Sequence, residues 1–161
     1  MRSIVRRLVL IALVPAALIG VVAVANPAQA AAPTVAQLQN DIVAATNVQR
    51  VKLGCARLRV DAKLGYAARG HSAFQARTNT MSHTGSSRST FAVRASRAGY
   101  VGALAENVAY GYRSGGQVVA AWMKSPGHRA NIANCRAKAV GVGAYYAANG
   151  TPYYTQDFGT R

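Results

Sequence analysis

The last third of the chain contains two segments in which side chains alternate in character, and together they constrain the fold more than any other feature. In residues 139–147 apolar side chains alternate with small ones, and residues 153–158 mirror that pattern. Between them lies Asn149-Gly150, a residue pair typical of a tight hairpin turn. Because successive side chains of a strand point to opposite faces, this arrangement predicts an antiparallel hairpin.

Four segments before this hairpin have helical spacing. The first begins with a capping box at Thr34 and ends before Gly54, and the second begins at Asp61. Shorter helices are predicted over residues 91–97 and 117–124. Helices followed by a terminal hairpin predict an α+β fold, with helices packed on a small antiparallel sheet.

The first thirty residues are typical of an export signal. Three arginines open the chain, an apolar run follows over residues 8–25, and Ala28-Gln29-Ala30 matches an A-x-A cleavage site. The alternative is a membrane anchor, since the 18-residue run approaches the length that spans a bilayer. We expect a cleaved signal over residues 1–30 and a single domain over residues 31–161, which is secreted and has no membrane span of its own.

The charge of the chain is strongly positive. It has 19 Lys and Arg residues against four acids, and with the three arginines of the signal removed, residues 31–161 carry a net charge of +12. The basic residues form no run and no aromatic platform, so nucleic acid is not the expected partner. We expect a monomer that binds an anionic cell-wall polymer, a lipid or a peptide outside the cell or at its envelope.

Two cysteines, Cys55 and Cys135, lie in the expected secreted domain. In an oxidising compartment they can pair within the chain only with each other, which predicts a disulfide. The alternative is two buried free thiols. Their spacing does not match a zinc cluster.

A scarce set of residues could carry chemistry. The chain has three histidines and one glutamate, and His83, Glu106 and His128 lie in loop-like or helix-start contexts. Two neutral imidazoles and one carboxylate suffice for a divalent metal with an open water position, or for general acid and base without a metal. Motifs for serine hydrolases, zinc proteases and nucleotide binding are not present in the sequence.

Each of these residues also has a structural interpretation. His83 and His128 could be exposed side chains in a loop and in a first helical turn, and Glu106 could pair with an arginine. His71 lies on the inner stripe of the second predicted helix, which favours a hydrogen-bonded core histidine. Asn131 is expected to hydrogen-bond to the backbone.

Five motifs occur in a recognisable order: HSAFQ at 71–75, MSHTG at 81–85, AENVAYG at 105–111, VVAAWMKSPGHRANI at 118–132, and VGVGAYY with YYTQDFG within 140–159. With these motifs, residues 36–159 resemble the bacterial branch of the CAP superfamily. That superfamily comprises the cysteine-rich secretory, antigen 5 and pathogenesis-related proteins and is also called SCP-like.

The resemblance implies a three-layer α-β-α sandwich with an antiparallel sheet and a central cleft. It implies His83 and His128 as ligands of a divalent metal, zinc being the expected ion, and Glu106 as a cleft acid and candidate catalytic residue. Other branches carry a second acid three positions after the tryptophan, where this chain has Ser125 after Trp122. Ser125 is therefore expected to lie in the cleft, and the resemblance supplies no second carboxylate there.

The activity of this superfamily is mostly unassigned, so the fold does not define a reaction. Our first hypothesis is a secreted binding module whose cleft holds a divalent metal and an extracellular ligand. The alternative is a metal-dependent hydrolase or peptidase that uses Glu106 as base. A third hypothesis is a structural or membrane-active envelope protein in which the histidines have no role.

Overall fold

The structure is a computed structural model and describes residues 31–161; the expected export signal over residues 1–30 lies outside the described residues. Residues Ser86–Arg88 form a 3₁₀ turn. No helix between residues 31 and 161 is both long and apolar enough to cross a membrane. The described elements are α1 (Val35–Lys52), β1 (Arg59–Val60), α2 (Ala62–Thr78), α3 (Phe91–Arg97), β2 (Ala103–Tyr110), α4 (Gly115–Lys124), α5 (Pro126–Ile132), β3 (Ala139–Tyr146) and β4 (Pro152–Gly159).

The four strands form one sheet in the order β1-β3-β4-β2. The predicted hairpin is confirmed, since β3 and β4 pair antiparallel, and β2 pairs antiparallel with the other side of β4. The expectation of a purely antiparallel sheet is wrong in one respect, because β1 runs parallel to β3. A parallel pair needs a long connection between its strands, and the chain from α2 to α5 provides it.

Helices cover both faces of the sheet, which gives the predicted α+β fold with three layers. Tyr154 and Phe158 of β4 lie in the main core with the apolar faces of α1, α4 and α5. Thr155 points to the opposite face and accepts hydrogen bonds from Ser72 (2.9 Å) and Gln75 (3.1 Å) of α2. The alternation of β4 therefore assigns each of its side chains to one helical layer.

Helix α2 lies directly on the backbone of β3. At Gly141 and Gly143 an added Cβ would overlap the backbone of α2 near Leu64 and Ala68. Glycine at these two positions allows the helix to approach closely, and His71 is buried as a result, with 1% of its surface exposed.

Two tethers fix the end of α1 to the segment that follows α5. Cys55 and Cys135 form the predicted disulfide, with Cα atoms 5.1 Å apart. Arg50, which is fully buried, donates to four backbone carbonyls at 2.8–3.0 Å, those of Ala56, Ile132, Asn134 and Ala137. These contacts set the position of α5, which carries His128.

Candidate functional site

Glu106 lies on β2, at the edge of the sheet, and only 5% of its surface is exposed. One carboxylate oxygen accepts a hydrogen bond from Nδ1 of His83 at 2.9 Å, and the other accepts from the guanidinium of Arg94 on α3. Two interpretations of the sequence are therefore realised together, because the sole glutamate contacts a predicted site histidine and also pairs with an arginine.

The loop between α2 and α3 that carries His83 is held by three side chains. Nε2 of His71 lies 2.7 Å from the carbonyl oxygen of Ser82, which agrees with the prediction of a hydrogen-bonded core histidine. The Ser82 amide donates to Oε1 of Gln75 at 3.1 Å, and Arg94 donates to the His83 carbonyl at 3.2 Å. The backbone of the loop is thus fixed, whereas the side chain of His83 is 59% exposed.

The contact with Glu106 affects both the pKa and the tautomer of the His83 imidazole. The hydrogen bond to the carboxylate raises the pKa of His83, and partial burial opposes this shift. When His83 is neutral, the Glu106 carboxylate favours the tautomer with its proton on Nδ1. Nε2 of His83 is then left with a free lone pair.

His128 lies on α5, which begins with Pro126 at its first position, and Ser125 joins α4 to α5. The imidazole ring centre lies 6.4 Å from that of Trp122, and the residue is half-buried. Burial, and then the charge of His83, lower the pKa of His128. His128 is therefore neutral at neutral pH.

Side chains from α4 and α5 close over the outer edge of β2. Asn131 donates to the carbonyl of Glu106 at 3.2 Å and to Oδ1 of Asn107 at 2.9 Å, so the predicted backbone hydrogen bond of Asn131 is confirmed. The indole of Trp122 donates to the carbonyl of Val108 at 3.1 Å. These bonds attach the helix that carries His128 to the strand that carries Glu106.

The two histidines open onto different depressions along β2. One has a volume of about 470 Å³ and is lined by His83, Thr84, Thr90, Phe91, Leu104, Ala105, Glu106 and Asn131. The other has a volume of about 240 Å³ and is lined by Met81, Val108, Ala109, Tyr110, Tyr112, Ala121, Trp122, Ser125 and His128. Within residues 31–161 no three His, Cys, Asp or Glu side chains are grouped closely enough to hold a metal ion.

Two residues of the site were missed by sequence reasoning. Arg94 is one of 16 basic residues after the expected signal, and nothing in the sequence distinguishes it from the others. Asp157 is the register partner of Glu106 on β4 and is fully buried. The sequence did contain a signal for Asp157, because it is an acid in a predicted strand and lies on the same face of that strand as Thr155. Burial, and then the charge of Glu106, raise the pKa of Asp157.

The motifs implied a class of protein in which helices flank a sheet and a histidine and a glutamate line a cleft. The structure has helices on both faces of its sheet, and His83 and Glu106 line one depression at the edge strand. Residues 43–158 match the family model described as "CAP: Cysteine-rich secretory protein family". The chain belongs to this family.

Two proteins of Bacillus subtilis are similar to this chain. YlbC, described as an uncharacterized membrane protein, is 34% identical over 122 residues, which are 74% of this chain and 34% of YlbC. YkwD, described as uncharacterized, is 33% identical over 134 residues, which are 83% of this chain and 51% of YkwD. This chain thus spans between a third and about half of their lengths.

Solved structures are similar to this chain as well. One of them is an extracellular protein containing an SCP domain from Bacillus anthracis strain Ames, with a TM-score of 0.72 and 28% identity. The match covers 79% of this chain and 41% of the other. Family and fold are therefore established, while the activity of the domain is unassigned.

Proposed function

We propose that the protein is a secreted CAP-domain binding module that holds a divalent metal at its cleft, through His83 and His128, and binds an anionic ligand of the cell envelope. Zinc is the expected ion, because two neutral imidazoles suit it. When bound, the ion supplies a positive charge and exchangeable positions for oxygen ligands.

The contact between Glu106 and His83 carries this proposal. Histidines that bind metals usually donate their other ring nitrogen to a carboxylate, which orients the ring and increases its basicity. Glu106 accepts from Nδ1 of His83 at 2.9 Å, which would leave Nε2 as the nitrogen that binds the ion. With two protein donors only, water or the bound ligand would complete the coordination of the ion.

The same geometry gives less support to the hydrolase alternative. A general base must reach the water whose proton it removes. The side chain of Glu106 is 1% exposed, and both of its oxygens already accept from His83 and Arg94. Glu106 is better placed to orient His83 than to take a proton from a substrate water.

An extracellular setting is supported by two properties of the chain. The disulfide between Cys55 and Cys135 is typical of proteins in oxidising compartments. The net charge of +12 over residues 31–161 favours anionic polymers or lipid headgroups as partners. The extracellular SCP-domain protein of Bacillus anthracis agrees with this location.

Calorimetric titration with zinc tests the metal site. We expect the wild-type protein to bind one zinc ion and the double variant His83→Ala/His128→Ala to lose at least tenfold in affinity. Arg129→Lys is the matched control, because it changes the exposed neighbour of His128 and keeps its charge. Equal zinc affinity in the double variant and the wild type would show that the metal ligands are assigned wrongly.

The hydrolase alternative is tested with the same proteins. Turnover of peptides or wall fragments that disappears in Glu106→Gln and persists in Ser125→Ala would favour the hydrolase over the binding module. We expect no such turnover from the wild-type protein, and at least tenfold weaker zinc binding by Glu106→Gln, since loss of a carboxylate behind a ligand histidine typically costs about 10- to 100-fold in affinity.

A further inference from the structure

Asp157 is a buried carboxyl group without a hydrogen-bond donor. It lies on the central part of β4, is 0% exposed, and neither of its oxygens has a partner within the described chain. An ionised carboxylate in such a place would carry a large desolvation cost. Its environment therefore has to provide a cation, a donor or a proton.

No cation within residues 31–161 is bonded to Asp157. Glu106 faces Asp157 from β2, and from β3 the register partner is Gly141, which has no side chain. From α3, Arg94 donates to Glu106 and to the carbonyls of Ser89 and His83. The terminal nitrogens of Arg94 are thus bonded to the other carboxylate and to the backbone, and its Nε, which has no partner, makes no hydrogen bond to Asp157.

The two histidines near this cluster do not neutralise Asp157 either. From α2, His71 is buried, and this burial lowers its pKa, so it is neutral at neutral pH. From the loop, His83 directs its Nδ1 to Glu106. Asp157 is therefore a buried acid with no bonded cation, opposite a buried acid that has both a histidine and an arginine as partners, and a pair of this kind retains a proton.

The distribution of donors decides which carboxyl group carries that proton. Glu106 accepts from two donors, each of which stabilises its ionised form, whereas Asp157 has none. Each carboxylate oxygen can accept a second hydrogen bond, so Glu106 still has capacity for an O–H donor.

We propose that Asp157 is a protonated positioning residue, whose O–H donates to Glu106 and holds that carboxylate in place behind His83. A second acid thereby lies behind the cleft, buried on a strand of the sheet, whereas the position that other branches use is Ser125 in this chain. The protonation itself is independent of the proposed function; only its role behind His83 rests on that function.

Carbon-13 NMR of the aspartate carboxyl groups tests the proton directly. The chain has three aspartates, Asp41, Asp61 and Asp157, so a protein labelled at these carboxyl carbons gives three signals. At pH 7 we expect two signals at the ionised position and one at the protonated position, the latter being absent in Asp157→Asn. Three ionised signals at pH 7 would overturn the proposal.

Unfolding in denaturant gives an independent test. Only the folded wild type would retain this proton above the ordinary pKa of aspartate, near 4, so folding takes up a proton there. The unfolding constant of the wild type should rise about tenfold per pH unit relative to that of Asp157→Asn between pH 5 and 7. A pH-independent ratio would contradict the proposal.

Zinc affinity tests the positioning role. Asp157→Asn keeps an N–H donor for Glu106 and should bind zinc within about threefold of the wild type, whereas folded Asp157→Ala should lose about tenfold. Equal affinity in both variants would refute the positioning role. If the wild type does not bind zinc, the proposed function fails, and the NMR result still decides the protonation of Asp157.

Discussion

Glu106 and Arg50 are both buried charged residues, but their charges are satisfied in different ways. Glu106 accepts from a histidine and an arginine that belong to different elements. Arg50 donates only to backbone carbonyls, so dipoles and no carboxylate surround its charge. Burial of a charge is tolerated when its hydrogen bonds are complete. The carboxylate supports the cleft, whereas the guanidinium supports the backbone.

The burial of His71 predicts that the stability of the protein depends on pH. Burial, the largest influence, lowers its pKa below the ordinary value near 6.5. Protonation is thus easier in the unfolded chain, so the contribution of neutral His71 to stability is complete above pH 6.5 and is lost as pH falls below it. Relative to a variant without this imidazole, the free energy of unfolding should decrease by up to ~1.4 kcal/mol per pH unit as pH falls in that range.

Denaturant unfolding between pH 8 and 5 checks this expectation against His71→Gln. Glutamine can still donate to the Ser82 carbonyl and does not titrate. The stability difference between the two proteins should change below pH 6.5 and stay constant above it. A constant difference over the whole range would show that His71 is protonated equally well in both states.

The candidate site was partly predictable from single residues. His83, Glu106 and His128 were conspicuous because the chain has few histidines and one glutamate, and the family resemblance assigned them to a cleft. Arg94 was not predictable, since its role depends on α3 packing beside β2. Asp157 required knowledge of the strand register, which places it opposite Glu106.

At the scale of elements, local signals predicted the helices and the hairpin, and pairing between distant segments determined the rest. The capping box at Thr34 and the Asp61 cap begin α1 and α2 as predicted. The sequence of β2, Ala103–Tyr110, contains alanine, asparagine and glutamate, which strands disfavour, and it is a strand because it pairs with β4. A two-residue strand such as β1 has no local pattern at all.

The position of helix α5 depends on hydrogen bonds from Arg50 on α1, so replacement of this arginine should destabilise the protein. Replacement of Arg50 by methionine leaves the carbonyls of Ala56, Ile132 and Ala137 without this donor, whereas the carbonyl of Asn134 still accepts from the Ala137 amide. A buried group that loses its partner costs about 1–3 kcal/mol, so we expect Arg50→Met to lower the free energy of unfolding by about 3 kcal/mol or more. Denaturant titration measures this change.

Arg57→Met is the control for that experiment, because Arg57 is exposed and its replacement should change stability by less than about 0.5 kcal/mol. We also expect Arg50→Met to weaken zinc binding, since α5 carries His128. A loss of stability below about 1 kcal/mol would show that water replaces the guanidinium at these carbonyls.

At the scale of the whole molecule, the dominant property is an excess of positive charge. Residues 31–161 carry 16 basic side chains and four acids, two of which, Glu106 and Asp157, are buried. The exposed surface is therefore more uniformly basic than the composition indicates. Such a surface attracts polyanions over distances that depend on salt.

Binding to a glycerol phosphate polymer should consequently be sensitive to ionic strength. The screening length falls from about 10 Å at 0.1 M salt to about 3 Å at 1 M. We expect the Kd for the polymer to rise at least tenfold over this range in a direct binding assay. A neutral glycan of similar length is the control, and an unchanged Kd for the phosphate polymer would show that charge does not drive the association.

The bonds from Trp122 and Asn131 to the carbonyls of Val108 and Glu106 have a further consequence for how this molecule meets others. An exposed edge strand has unpaired backbone groups, with which a strand of another polypeptide can pair and so extend the sheet. Here an indole and an amide already occupy two of the acceptors that an incoming strand would need. A ligand that binds at this edge must therefore be recognised through its own charged or polar groups. Edge-to-edge association between copies of the protein along this strand is disfavoured for the same reason.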